Sequence, residues 1–90
     1  MRKVKKAKVN PAYNARVNSD GNGHFRVRLS NRGEIRSSEM NEQIFRQFCS
    51  RVGADFYMLS EAAAQAVTVV DDIELTSSQI VEFGFVKSHS

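Results

Sequence analysis

Cysteine occurs once in this 90-residue chain, as Cys49, and no apolar run exceeds four residues. A lone thiol cannot form an internal disulfide, so the fold has to be held by packing, as in a reducing compartment. A helix needs about 20 apolar residues to cross a bilayer, and nothing here approaches that length, so no membrane partner is expected. Met1–Lys8 is basic, but the apolar segment of a secretory leader does not follow it. The expected location is cytoplasmic.

Motifs that carry chemistry are missing too. Cys49 has no CxxC partner, and His24 and His89 stand far apart without a clustered third ligand. On an apolar helix stripe Cys49 reads as a small buried hydrophobe. Asn18–Gly23 falls short of a calcium loop, with Asn in its first position and Leu29 where a bidentate Glu is required. Gly21-Asn22-Gly23 has no following helix to complete a phosphate loop, and reads as a hairpin turn. Asp71, Asp72 and Glu74 read as a polar turn rather than a magnesium site. With no convergent acid, base or nucleophile, the expectation is a non-enzymatic protein without a cofactor.

What the chain does contain is segregated charge. The net charge of +3 is unremarkable, but residues 1–36 hold ten basic side chains against two acids, a net of +8. Residues 37–90 hold three against eight, a net of −5. Such asymmetry marks one end for a polyanion.

Residues 1–11 read as a flexible basic arm, self-repelling and closed by Asn10-Pro11. Residues 12–90 read as one α+β domain. From Tyr13 the period is two: Tyr13, Ala15 and Val17 alternate with Asn14, Arg16 and Asn18, and Phe25, Val27 and Leu29 alternate with His24, Arg26 and Arg28. Ser19–Gly23 and Asn31-Arg32-Gly33 supply turns. A three-stranded antiparallel meander over 12–36 follows, with Ile35 placed on its apolar face. Ser37-Ser38 offers a cap for an amphipathic helix over 38–53, whose stripe is Met40, Ile44, Phe45, Phe48, Cys49 and Val52 and whose end is Gly53. This helix should cover the sheet.

The remainder, 55–90, reads as one or two further short helices. Asp55 or Ser60 can cap the first, with Phe56, Leu59, Ala63, Val67 and Val70 as its stripe, although Val67–Val70 also suits a strand. Thr76–Gln79 forms a capping box with Leu75 and Ile80 as its staple, favouring helix over 77–84 against the strand-like alternation of Val81, Phe83 and Phe85. Phe83, Phe85 and Val86 could bury in a second copy of the chain; internal packing is preferred.

The meander's period sets Arg16, Arg26, Arg28 and Arg36 on one polar face, joined by His24 and Asn14. With Lys3, Lys5, Lys6 and Lys8 of the arm they make a phosphate footprint, because a guanidinium fork binds phosphate or guanine edges bidentately. Tyr13 and Phe25 fall on the buried parity, which leaves no stacking platform for single strands. The expected partner is therefore nucleic acid, duplex DNA above all. A three-stranded ribbon can enter a major groove, where Arg26 and Arg28 would make any base contacts. The rival expectation is a small inhibitor or adaptor of phage or mobile-element type, gripping a larger host protein.

Overall fold

Tyr13, Ala15, Val17, Phe25, Val27 and Leu29 are buried, and the residues between them are exposed, as two-faced strands require. The computed structural model describes residues 12–87 and is an α+β fold of one five-stranded antiparallel sheet and three helices. The meander is β1 (Ala12–Ser19), β2 (His24–Asn31) and β3 (Glu34–Asn41). After it come α1 (Glu42–Val52), α2 (Phe56–Gln65), β4 (Thr68–Glu74), α3 (Ser77–Glu82) and β5 (Val86–Lys87). The strand order is β4-β1-β2-β3-β5, so the meander is extended on both sides. Basic-arm residues 1–11 lie outside the described residues.

β3 runs through the segment expected to open the helix. It pairs with β2 along its whole length, from Asn31↔Glu34 to His24↔Asn41. Eight ladder positions outweigh the capping preference of Ser37-Ser38, so α1 begins at Glu42 rather than at residue 38. The cap is Asn41, whose Oδ1 accepts from the Ile44 amide at 2.9 Å. Its other end is as expected: Gly53 takes φ 78 and returns its amide to the Cys49 carbonyl.

α1 presents Phe45, Phe48 and Cys49 to the sheet. Phe45 stacks on Phe25 with ring centroids 4.1 Å apart, and Phe48 meets Phe83 edge-on at 5.5 Å. Phe83 and Phe85 thus pack internally. α2, capped by Asp55, adds Leu59 and Ala63 to the core. It stops at Gln65, and Val67 and Val70 leave the helical stripe expected of them. The β-branched run continues instead as β4, whose backbone groups pair with the open edge of β1. α3 has the expected capping box, with Thr76 and Gln79 bonded reciprocally and Leu75 and Ile80 buried. It ends at Glu82, short of residue 84, where Phe83 and then Gly84 turn the chain toward β5. The buried apolar residues of the helices form one cluster with Tyr13, Val17, Phe25, Leu29 and Met40, while Tyr57, Met58 and Val81 stay exposed. No helix among the described residues is long and apolar enough to cross a membrane.

Candidate nucleic-acid interface

The β1–β2 register puts Arg16 directly opposite Arg28, and Asn18 opposite Arg26. Opposed residues share a face, so Arg16, Arg26 and Arg28 stand together on the side of the sheet away from the core, all exposed. Asn14 and Ser30 form the neighbouring row, and His24 begins β2 on the same side. Arg16, Asn18, Arg26, Arg28 and Val67 line a hollow of about 210 Å³. A second hollow lies between Arg16, Arg28, Ser30 and Ile35.

Arg36 does not join them. β2 and β3 are linked by a two-residue turn, Arg32 and Gly33, with φ 51 and 85. In that register Leu29 faces Arg36 and Ser30 faces Ile35. The two residues therefore exchange the sides expected of them: Ile35 stands beside the arginines, and Arg36 falls on the core side. There, near the sheet edge, it lies 3.6 Å from Glu34, which also binds Lys87 of β5 at 3.3 Å. Its Nε is buried with no hydrogen-bond partner among the described residues. Lys3, Lys5, Lys6 and Lys8 lie outside the described residues.

The same register places Glu39 across from Arg26. Glu39 binds Arg26 Nη2 at 2.9 Å and His24 Nε2 at 3.2 Å. The Arg26 hydrogen bond and charge, with a smaller contribution from His24, hold this carboxyl below the usual glutamate range. The sequence pattern places Glu39 in a helix and so does not show this contact; in the structure it belongs to β3. Arg16 and Arg28 make no ion pair among the described residues. Exposed Val67 and Val69 flank the arginines on the β4 side, and exposed Ile35 and Val86 on the β3–β5 side.

The remaining candidates resolve differently. Asp20 Oδ1 accepts from the Asn22 and His24 amides at 2.8 and 3.3 Å, so that carboxylate closes the hairpin turn. Those amides, Asn22 first, lower its pKa. Cys49 is 1% exposed, and burial, with a smaller push from Asp55, raises its thiol to about 11. Asp71, Asp72 and Glu74 belong to β4 rather than to a turn. Among the described residues no three His, Cys, Asp or Glu side chains converge as a metal site. No family model matches the chain, and no curated protein or solved structure does either.

Proposed function

We propose that the chain is a non-enzymatic, nucleic-acid-binding protein that docks duplex DNA on the outer face of its sheet, through Arg16, Arg26 and Arg28 with the lysines of the arm. The observation that carries this reading is the Arg16–Arg28 pair. Like charges directly opposite on adjacent strands destabilise a sheet. Two guanidiniums so placed, with no counter-ion among the described residues, hold a cost that a phosphate between them would relieve. No helix of the described residues covers that face.

The test is binding of the full chain to a fluorescent duplex across a salt series. Neutralising about five phosphates gives a log K against log salt slope near −4.5. A slope near zero, or no binding at low salt, overturns the reading. Replacing Arg16 and Arg28 should weaken binding more than replacing Arg51, in the last turn of α1.

A second reading, an inhibitor or adaptor that grips a larger protein, draws on the exposed Val67, Val69, Ile35 and Val86 beside the arginines. An apolar rim around a cationic centre also suits an acidic protein surface. Val69→Ser separates the two, because it should leave duplex affinity within about twofold.

A further inference from the structure

Building on the duplex reading, we infer that the outer face grips the sugar–phosphate ridge of the duplex and does not read base edges, so that binding is independent of sequence. The first reason is width. Five strands span four interstrand spacings, roughly 19 Å, whereas the major groove is about 12 Å wide and the minor groove about 6 Å. The meander of the sequence reading would have fitted a groove; the sheet completed by β4 and β5 does not. Arg26 and Arg28 thereby lose the base-contacting role expected of them.

A broad sheet can still reach bases by prising open the minor groove with an apolar wedge. Among the described residues Ile35 is the one side chain of a wedge type on this face; it is 39% exposed and stands at the border of the arginine rows with no second wedge beside it. All six Phe side chains pack in or against the core, on the other side of the sheet. Leu29, Met40, Leu59 and Leu75 are buried there too, and Met58 projects from α2.

The arrangement of donors fits a single extended backbone. Three rows cross the two central strands: Asn14 with Ser30, Arg16 with Arg28, and Asn18 with Arg26. Successive rows are about 6.8 Å apart, two residues along a strand. This makes a lane of amide, hydroxyl and guanidinium groups, the side-chain types that contact phosphate oxygens. Valines border the lane on the β4 side, and Ile35 and Glu39 stand on the β3 side, where Glu39 is paired with Arg26; Arg16 and Arg28, the central row, keep their charge toward solvent. Among the described residues no aromatic ring other than the His24 imidazole stands on this face to stack an unpaired base.

The experiment measures affinity of the full chain for three duplexes of equal length, A·T-rich, G·C-rich and mixed, together with a single strand of the mixed sequence. The three duplexes should agree within about threefold, and the single strand should bind more weakly. Arg16→Gln and Arg28→Gln should each weaken all three duplexes by a common factor and reduce the salt slope by about 1. Circular dichroism establishes that each variant is folded. A tenfold preference for one duplex, a variant that changes the order of preference, or a tighter single-strand complex overturns this inference alone. Absence of any duplex binding at low salt overturns the duplex reading and this one with it.

Discussion

Ser38 Oγ donates a 2.6 Å hydrogen bond to the Phe83 carbonyl, joining the middle of β3 to the residue that ends α3. Both residues are buried, and Ser38 is the one polar side chain in the described core. Phe83 in turn meets Phe48 of α1 edge-on. The bond therefore fixes the C-terminal segment against the centre of the fold.

Ser38→Ala should destabilise the protein by about 1–3 kcal/mol, because it leaves a buried carbonyl without a donor. For a domain of this size each kcal/mol lowers Tm by about 4–8 °C. Ser50→Ala, on the exposed side of α1, should stay within about 0.5 kcal/mol. Thermal denaturation of the two variants side by side checks the contrast; equal Tm values would remove the structural role given to Ser38.

The same serine shows where the sequence could be read and where it could not. In β1, β2, α1 and α3 the local signals and the tertiary environment agree, so the alternation of the strands, the Gly53 stop and the Thr76 capping box are all legible. β3 carries Arg36 and Ser38 on its core side, a polar pattern that only its pairing with β2 makes sense of. The Arg32-Gly33 turn is one residue shorter than the Asn31-Arg32-Gly33 turn expected, and that single residue exchanges the sides of Ile35 and Arg36. β4 hides for another reason. Val70 pairs with Ala15 and Ile73 with Tyr13, so two core-facing residues stand three apart across an irregularity at Asp71 and Asp72, with Asp72 at φ 59. Three-residue spacing is what a helix would show. Of the candidate site, Arg16, Arg26 and Arg28 followed from alternation alone. Glu39 and the flanking apolar residues needed the register.

The Arg16–Arg28 pairing ties stability and binding together with opposite signs. Arg16→Gln removes a cross-strand repulsion and should raise stability by a few tenths to about 1 kcal/mol. The same change should weaken duplex binding and lower the salt slope by about 1. Urea denaturation and a salt titration on one protein preparation test both halves. A variant that loses stability and binding in parallel would point to a structural role for the arginine instead.

Glu39 gives the protein a defined acid response. Its carboxyl titrates lower in the folded chain than in the unfolded one, because Arg26 and His24 favour the charged form. Stability from this group is therefore complete above the ordinary glutamate range and is lost as pH falls through the lowered value. Glu39→Gln should flatten that part of the acid limb in denaturation curves recorded between neutral pH and about pH 3. At neutral pH the same variant should bind duplex more tightly than the parent, since Arg26 is released from its 2.9 Å partner. Unchanged or weaker binding by Glu39→Gln would place Arg26 outside the interface.

The β2–β3 turn offers the last test, and it concerns the register on which the arginine face depends. Arg32 and Gly33 both have positive φ, the geometry of a type I′ turn. A residue with a Cβ and no local hydrogen-bonding group pays about 1–2 kcal/mol in the left-handed region, whereas Asn tolerates it and Asn-Gly is the preferred pair. Arg32→Asn should therefore stabilise the hairpin by about 0.5–1 kcal/mol while leaving duplex affinity within about twofold, because Arg32 lies in the turn and not in the lane of donors. Gly33→Val should do the reverse, loosening the pairing that sets Glu39 against Arg26. Amide hydrogen exchange across β2 and β3 reports both changes. Slower exchange in Arg32→Asn and faster exchange in Gly33→Val are the expected results; no difference between them would mean that the register is fixed elsewhere in the sheet.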